Sequence, residues 1–376
     1  MTLDTLQAKF AHFARHAVTD DPLYVALTGA AAQRPGWAGL LAEAPEPLRS
    51  PTLWLAALQD RVLELVDAGT RPALADWYPS VGPAHAPDAA LIAEADAFIA
   101  RERDALVARL RTRQTQTNEI GRCAVLWPVL QSLAQSTGRD RIALLDVGSS
   151  AGLNLGVDHW RYRYVDDAND TTLASAADDR DPRAPEIVTR VLAGPRHAHA
   201  GEPRLVARLG IDLHPVAVDD TAAVRWLRAC LWPGDRVRRA RFDAAVKIAR
   251  EQRWPVRACA DAADGVAEWL AALPRDVLPV IFNSWVLAYF DGASLRRYVD
   301  TVLAAVAGRG AAWISAEDPR QSRTWWPDMP EAASTARPNA TAWTLATPDG
   351  RGGVAWRLAA TSHAHGTWVE WGGREG

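Results

Sequence analysis

A change of hydrophobic pattern at Ile142 is the feature that most constrains the fold of this chain. Before it, wherever a pattern can be assigned, apolar residues recur at helical spacing, as in the stripe of Leu55, Leu58 and Val62. After it, short β-prone segments alternate with helical patterns, at 142–147, 205–213, 256–260, 278–283 and 310–316. This alternation is typical of a mostly parallel sheet with helices on its faces. We therefore predict an α/β fold with a doubly wound sheet, preceded by an all-helical domain.

The same change of pattern predicts the domain organisation. We expect an N-terminal helical domain over residues 1–114 and an α/β domain over residues 115–376. A polar, aspartate-rich insertion at about 161–204 is predicted to form a surface loop or lid. The tryptophan-rich segments ATAWTLA and GVAWRLAATSHAHGTWVEW flank the turn Pro348-Asp349-Gly350. They predict a closing, antiparallel C-terminal hairpin.

Charge, cysteine usage and hydropathy limit the classes of function. The 376 residues carry a formal net charge of −3 with both signs mixed throughout, so neither nucleic acid nor an anionic membrane is favoured as a partner. The three cysteines are far apart, and the sequence predicts neither a disulfide framework nor a metal site. The N-terminus is typical of an amphipathic helix and not of a signal peptide, and the apolar segment 277–290 is too short to span a bilayer. We expect a cytoplasmic protein with a small-molecule substrate, and the oligomeric state stays open.

The first β-prone segment runs into a loop of small residues that fits two chemistries. The stretch LLDVGSSAGLNL contains G-x-S-x-G, the turn that holds the nucleophilic serine of an α/β-hydrolase, here Ser150. Glu317 and then His363 or His365 follow in the order that a serine, acid and histidine triad requires. The same loop offers Asp146 at a strand end and small residues that let a nucleotide-like cofactor approach the backbone.

The surrounding sequence favours the cofactor. No strand or loop upstream of residue 142 supplies the second donor of a hydrolase oxyanion hole. The dinucleotide spacing G-x-G-x-x-G fails at Ser150 and Leu153, which disfavours nicotinamide and flavin. We therefore predict a different cofactor on this loop, with a helix that begins just after Gly152, and keep the serine hydrolase as the alternative.

The motif residues Asp146, Gly148, Ser150 and Gly152 resemble motif I of class I S-adenosylmethionine-dependent methyltransferases, with serine in place of the middle glycine. In LGIDLHP, Asp212 is similar to the second-strand acid that binds the cofactor ribose in those enzymes. RACADAAD and PVIFNSWVLAYF resemble their third and fourth strands, and GAAWISAE resembles the fifth. The resemblance covers roughly 115–376 and implies a Rossmann-like methyltransferase sheet. Asp212 follows Asp146 by 66 residues, where about 20 is usual, so the insertion has to loop out.

A closer resemblance rests on TQTNEIGR, the glycine loop, GIDLHP and the fourth-strand segment together. These segments are similar to a family of uncharacterised bacterial proteins that has a helical N-terminal part and a methyltransferase-like core. That family brings no known substrate.

The resemblance to methyltransferases implies roles for particular residues. S-adenosylmethionine is the implied cofactor, and its expected contacts are Asp146, Gly148, Ser149, Ser150, Gly152, Asp212, Asp261, Ala262 and Asn283. The sequence pattern says less about the part of the site that would bind the methyl acceptor. Candidate catalytic residues there are Glu119, Asn283, Trp285, Tyr289, His363 and His365. The methyl acceptor is not identified. A non-catalytic scaffold that works through partners is the non-enzyme alternative.

Overall fold

The chain folds into two compact units in the computed structural model, which describes residues 2–18, 20–176, 180–194, 201–331 and 337–372. The first unit comprises Met1–Thr117 with Asp219–Ala240, and the second comprises Asn118–Val218 with Arg241–Gly376. The α-helices are α1 (Leu3–His16), α2 (Pro22–Gln33), α3 (Pro35–Leu40), α4 (Pro51–Asp67), α5 (Ala89–Arg101), α6 (Arg103–Thr112), α7 (Cys123–Thr137), α8 (Thr221–Ala229), α9 (Arg236–Gln252), α10 (Ala262–Ala272), α11 (Gly292–Arg309) and α12 (Pro319–Ser322). None of these helices is long and apolar enough to cross a membrane, within the part of the chain that the structure describes.

The first unit is helical, as its apolar spacing predicts. Side-chain oxygens of Asp21, Ser50 and Asp88 accept backbone N–H groups at the starts of α2, α4 and α5 and so satisfy donors that a helix end leaves open. The predicted stripe on α4 is buried in the core of this unit. The core also holds Trp54, whose ring packs 5.3 Å from that of Phe10, centroid to centroid.

The buried Asp60 and the part-exposed Glu64 of α4 are paired with arginines inside this unit. Asp60 accepts hydrogen bonds from Arg109 Nε at 2.8 Å and from Arg225 Nε at 3.1 Å. Glu64 accepts from Arg109 at 2.5 Å and from Arg225 at 3.1 Å. Because Arg225 lies on α8, these ion pairs fix residues 219–240 to the helices of the first unit.

The second unit is built on one sheet with eleven strands in the described residues. The strands are β1 (Arg141–Val147), β2 (Arg161–Asp166), β3 (Thr172–Ala176), β4 (Glu186–Ala193), β5 (Arg204–Asp212), β6 (Val256–Ala258), β7 (Leu278–Ser284), β8 (Ala312–Glu317), β9 (Ala340–Pro348), β10 (Val354–His363) and β11 (Trp368–Trp371). Their order across the sheet is β3-β2-β4-β11-β10-β9-β8-β7-β1-β5-β6. The prediction of a mixed α/β fold with a large, mostly parallel sheet is confirmed.

The central strand is β1, which pairs in parallel with β5 and β7. Its residues from Ile142 to Val147 are buried, and so is every residue of β7. Such nearly continuous apolar runs are expected of strands covered on both faces. In register, Val147 lies beside Ile211 of β5 and Asn283 of β7. The carboxyl ends of these strands therefore meet at one edge of the sheet.

The C-terminal hairpin is confirmed: β9 and β10 are antiparallel, with Ala340 opposite His363. Because β9 is also antiparallel to β8, β10 runs in the same direction as β8. Its last residue, His363, consequently lies at the same edge of the sheet as the carboxyl end of β1.

Two sequence predictions about the segment after β1 are wrong. The insertion at about 161–204 is not a surface loop or lid in its described residues, because it contributes β2, β3 and β4 to the sheet. Burial alternates along β4, where Ile187, Thr189 and Val191 point inward, and the acidic residues around it conceal this pattern. The helix expected after Gly152 is only a short 3-10 helix, Leu153–Gly156.

Candidate functional site

The loop after β1 adopts left-handed backbone conformations at three positions. Gly148, Ser150 and Gly152 have φ angles of +76°, +52° and +70°. A Cβ atom on Gly148 would collide with the side chain of Val286, and one on Gly152 would lie 2.5 Å from Val256 Cγ2. Both glycines are therefore required by close packing within the chain as well as by their backbone angles.

The acid at the end of β5 holds this loop in place. Asp212 Oδ2 accepts the Ser150 N–H at 2.8 Å, and Oδ1 accepts the His214 N–H at 2.8 Å. A carboxylate offers about four lone-pair sites, so the half-buried Asp212 keeps capacity for further donors. The structure thus brings Asp212 to the glycine loop despite its distance in sequence.

The carboxyl group of Asp146 is buried just before the loop. The residue is 1% exposed, and its Oδ2 has no hydrogen-bond partner among the described residues. Burial raises the pKa of Asp146 to about 8, and the Asp212 carboxylate adds to the rise, while Arg122 and a hydrogen bond with Asn154 act in the opposite direction. Since buried polar atoms almost always have a partner, this oxygen marks a place for a donor that the described chain does not supply.

Two more buried polar atoms near the loop share this property. Asn118 donates from Nδ2 to the carbonyl oxygen of Ser149 at 2.9 Å, which places the segment before α7 against the glycine loop. Asn118 Oδ1 and Ser149 Oγ have no hydrogen-bond partner in the described residues. Of these residues the sequence predicted a site role for Ser149 only.

Asn283, which the sequence assigned to both the cofactor and the acceptor, is enclosed by side chains. Its Nδ2 donates to Ser315 Oγ and Glu317 Oε1, both at 2.9 Å. Its Oδ1 accepts from the Tyr298 hydroxyl at 3.1 Å and from Trp313 Nε1 at 2.7 Å. These four bonds use the hydrogen-bonding capacity of the amide. Asn283 therefore positions Glu317 and has no group left for a ligand.

Glu317 ends β8 as a second fully buried carboxyl group. Its Oε1 also accepts the N–H groups of Val286 at 3.1 Å and Leu287 at 3.3 Å, whereas Oε2 has no partner in the described residues. Burial raises the pKa of Glu317 to about 7, although the Val286 N–H and the Asn283 amide act to lower it. The edge of the sheet thus holds two buried acids, each with one unpartnered oxygen.

Glu119 and Arg122 lie in the segment just before α7, and the charge of Arg122 acts on both acids. Glu119 is buried and forms an ion pair with Arg241 of α9 at 2.7 Å. Arg122 is also buried; its Nε donates to the Ala364 carbonyl at 2.9 Å, and its Nη1 donates to Ser284 Oγ at 2.9 Å. Arg122 therefore ties the turn after β10 to the end of β7.

Trp285 and Tyr289, the two aromatic residues predicted on the acceptor side, have different surroundings in the structure. Trp285 is half-buried with a φ of +53°, and its Nε1 donates to Thr341 Oγ1 at 2.8 Å. Tyr289 ends a short 3-10 helix, Leu287–Tyr289, and is 81% exposed. Trp285 is thus fixed to β9, and Tyr289 faces solvent.

The predicted adenine contacts lie at the end of the edge strand β6. Asp261 caps α10 by accepting the N–H groups of Ala263 at 2.8 Å and Asp264 at 3.1 Å. It also forms an ion pair with Arg297. Ala262 is the first residue of α10 and is half-buried. The Asp261 carboxylate is therefore already engaged by groups of the chain.

The two histidines lie close together. His365 donates its N–H to His363 Nδ1 at 3.1 Å, and their ring centroids are 5.1 Å apart. Since this bond occupies Nδ1 as an acceptor, the proton of a neutral His363 ring sits on Nε2. Among the described residues, no group of three or more histidine, cysteine or acidic side chains is arranged to hold a metal ion.

One family profile matches almost the whole sequence. It is described as an uncharacterized protein conserved in bacteria (DUF2332), and it matches residues 7–371. The chain belongs to this family. No curated protein matches the sequence. The predicted membership of an uncharacterised bacterial family is confirmed, and the resemblance to methyltransferases stays a prediction.

In this DUF2332 member, sequence reasoning overlooked two side chains at the sheet edge, Asn118 and Arg241, and gave Glu317 only the role of a triad acid. Asn118 stands within the quoted segment TQTNEIGR, and Glu317 follows the last apolar residue of a predicted strand. A polar residue at the end of a predicted strand can be recognised in the sequence. Whether each oxygen of its side chain has a hydrogen-bond partner depends on packing in the folded chain, which the sequence pattern does not show.

Proposed function

We propose that this family member is an S-adenosylmethionine-dependent methyltransferase that acts on a small-molecule acceptor. The order of its parallel strands supports the proposal. Strands β6-β5-β1-β7-β8 stand side by side, which corresponds to the order 3-2-1-4-5 of a doubly wound sheet. Ligands of such sheets bind at the carboxyl ends of the strands where the order reverses. In this chain that point lies between β1 and β7, beside loop 148–152.

The observation that carries the proposal is the unpartnered Oδ2 of Asp146. A buried carboxyl oxygen without a partner is destabilising unless a bound group completes its hydrogen bonds. The amino-acid end of S-adenosylmethionine carries an ammonium group with several N–H donors and a positive charge. Such a group fits Asp146 Oδ2, with Ser149 Oγ and Asn118 Oδ1 as further acceptors nearby.

The remaining residues fit the cofactor in part. Asp212 keeps two lone-pair sites for ribose hydroxyl groups beside the loop that it holds. The adenine end has less support, because the Asp261 carboxylate caps α10 and pairs with Arg297. We assign Asp146 and Asp212 as the main cofactor contacts and Ala262 as a packing contact.

In this mechanism the bound cofactor supplies a methyl group activated by a positively charged sulfur. The residues of the chain hold donor and acceptor in line and exclude water, which is the main requirement of such a transfer. Asp146 binds the ammonium group through Oδ2, and the bond from Ser150 to Asp212 keeps the loop in position.

Particular observations favour each of the two alternatives. The left-handed backbone of Ser150 fits the strained turn of a hydrolase nucleophile. The residue is only 4% exposed, however, and a 3-10 helix follows where that turn requires an α-helix. The packing of Val286 against Gly148 favours a non-catalytic scaffold, because a side chain takes space that a ligand would use.

Isothermal titration calorimetry with S-adenosylmethionine and with S-adenosylhomocysteine tests the proposal. We expect both to bind the wild type at pH 8, where the Asp146 carboxyl group is about half ionised and a bound ammonium group favours its anion. Asp146→Asn should weaken binding about 30-fold, since a hydrogen bond between charged groups contributes about 2 kcal/mol. Asp276→Asn is the matched control, because this exposed carboxylate pairs with Arg141 at the other end of β1, and the affinity of this variant should equal that of the wild type.

Failure to bind either compound would contradict the proposal, and a second measurement then separates the alternatives. Labelling of the wild type by a fluorophosphonate, lost in Ser150→Ala, would establish the hydrolase. Absence of both binding and labelling would favour the scaffold.

A further inference from the structure

We propose that Glu317 is a catalytic residue: its Oε2 accepts the proton that an amine or hydroxyl acceptor loses as it is methylated. This inference rests on the proposed methyltransferase function and names the chemical class of the acceptor. It starts from the position of the Glu317 side chain, from the bonds that its two oxygens make, and from the groups around it.

A single residue, Val286, links Glu317 to the glycine loop in space. Its Oε1 accepts the N–H of Val286 at 3.1 Å, and the side chain of the same valine fills the space beside Gly148. Strand β7 lies between β1 and β8, and its residue Asn283 lies beside Val147 of β1 and Ser315 of β8. Glu317 therefore belongs to the edge at which the proposed cofactor binds.

The two oxygens of Glu317 are treated differently by the structure. Oε1 receives three donors, from the Asn283 amide and the backbone of residues 286 and 287. This arrangement explains Glu317 as a structural brace for the segment after β7. It does not explain Oε2, which is buried and has no partner in the described residues. A brace alone requires one acceptor, so an unpartnered second oxygen in a fully buried group points to a further function.

Charged and titratable groups of neighbouring elements lie close to Glu317. Arg122, just before α7, stabilises its anion, and Tyr298 of α11 lies close to both Glu317 and Asp146 of β1. Burial outweighs the effects of Arg122 and the three hydrogen bonds, and it raises the pKa of Glu317 to about 7. A base is most effective when its pKa lies near the working pH. Asn283 is itself fixed by four hydrogen bonds, so its bond to Oε1 keeps the Glu317 side chain in position.

The step balances in atoms and charge. The acceptor nitrogen or oxygen forms a bond to the methyl carbon. The bond between that carbon and the sulfur breaks, and its electron pair stays on the sulfur. The proton of the acceptor passes to Glu317 Oε2, which becomes a neutral carboxyl group. An acceptor without such a proton, for example a thioether, has no need of this residue.

The test uses a cofactor analogue in which a carbon bearing an ammonium group replaces the methylated sulfur. This probe, sinefungin, places N–H donors where the reacting methyl group would be. Calorimetry at pH 8 compares its affinity with that of S-adenosylhomocysteine, which lacks the group. If Glu317 Oε2 faces the reacting centre, the wild type should prefer sinefungin by about tenfold, because a charge-assisted hydrogen bond forms only with this probe.

The preference should fall below twofold in Glu317→Gln, whose amide keeps the shape of the side chain, while affinity for S-adenosylhomocysteine stays within about twofold. Glu268→Gln, at an exposed residue of α10, should keep the preference of the wild type. A purely structural role would change the affinities for both compounds together and leave their ratio unaltered.

The outcomes separate this inference from the proposed function. Binding of both compounds with an unchanged ratio in Glu317→Gln would overturn the role of Glu317 and leave the methyltransferase standing. Binding of neither compound by the wild type would overturn both. If Glu317→Gln does not fold, Glu317→Asp replaces it; withdrawal of the carboxylate by one methylene should reduce the preference at least threefold, and an undiminished preference would contradict the proposal.

Discussion

The acids of α4 in the first unit are paired with arginines, whereas the buried acids of the sheet edge each keep an oxygen without a partner in the described residues. In the first unit, Asp60 is bonded to Arg109 and Arg225, and Glu64 is bonded to the same two arginines and to Arg61. Burial opposes ionisation of Glu64, but its hydrogen bonds from arginines outweigh that effect and lower its pKa. At the sheet edge, Asp146 and Glu317 keep unpartnered oxygens and raised pKa values. Acids partly or fully withdrawn from solvent thus occur in both regions, and the missing hydrogen-bond partners distinguish a candidate site from a structural ion pair.

The largest expected effect is on the paired acids. Asp60→Asn should reduce the free energy of unfolding by about 3 kcal/mol, because the mostly buried Arg109 and Arg225 lose their buried counter-charge and share the part-exposed Glu64. Asp146→Asn, the matched substitution at the sheet edge, should change it by less than about 1 kcal/mol at pH 6, where the native carboxyl group is neutral like the amide. Urea unfolding of both variants measures the difference. Equal losses would remove the distinction between the two regions.

A second effect is the dependence of stability on pH. Asp146 and Glu317 keep their protons in the folded chain up to pH of about 8 and about 7, whereas unfolded carboxyl groups lose them near pH 4. The folded state binds more protons between these values, so stability is highest at the acidic end and falls as the pH rises. The slope is up to about 1.4 kcal/mol per pH unit for each group.

Urea unfolding at intervals from pH 5 to pH 8.5 checks this slope without ligand. We expect Asp146→Asn and Glu317→Gln each to make the decline shallower, and the double variant to do so most. A decline that all variants share with the wild type would mean that other groups cause it.

A smaller effect concerns strain in the loop. Ser150 has a φ of +52°, which costs a residue with a Cβ atom about 1 kcal/mol relative to glycine. Ser150→Gly should therefore stabilise the chain or leave its stability unchanged, and it should keep affinity for S-adenosylmethionine within several-fold. Thermal unfolding and calorimetry measure the two quantities. A loss of more than tenfold in affinity would show that the hydroxyl group itself contacts the ligand.

The smallest expected effect is at Tyr289. The side chain is 81% exposed, and substitutions at such positions usually change stability by less than 0.5 kcal/mol. Tyr289→Ala should leave both unfolding and cofactor affinity unaltered. Since Tyr289 was a candidate for the acceptor side, reduced turnover with an intact cofactor affinity would restore it to that role.

Much of the sheet could be predicted because several of its strands are continuous apolar runs that a local sequence pattern shows. The runs at 142–147 and 278–283 are apolar throughout, and the structure places both as central strands within two residues of the predicted ends. The strands β2, β3 and β4 were missed for a physical reason. They join the rest of the sheet through the pairing of β4 with β11, in which Val191 lies beside Val369, and no local pattern reveals a contact so distant in sequence.

The candidate site was predictable to a similar limit. Small residues after an acid at a strand end located the loop, and the acid at the end of β5 was found although it is far along the chain. The state of each polar atom was not predictable. Asn283 and Glu317 are both polar residues at strand ends in the sequence, yet four hydrogen bonds enclose the amide, and one carboxyl oxygen is left open. That difference arises only from packing.

The pairing of β4 with β11 has a consequence for synthesis of the chain on the ribosome. Residues 186–193 emerge early, but the strand beside them comprises Trp368–Trp371. Loop closure over such a separation is slow, and an unpaired strand edge is prone to aggregation while it waits. We expect β2, β3 and β4 to be the part of the nascent chain that most needs a chaperone, until residue 371 has been added and β11 can pair with β4.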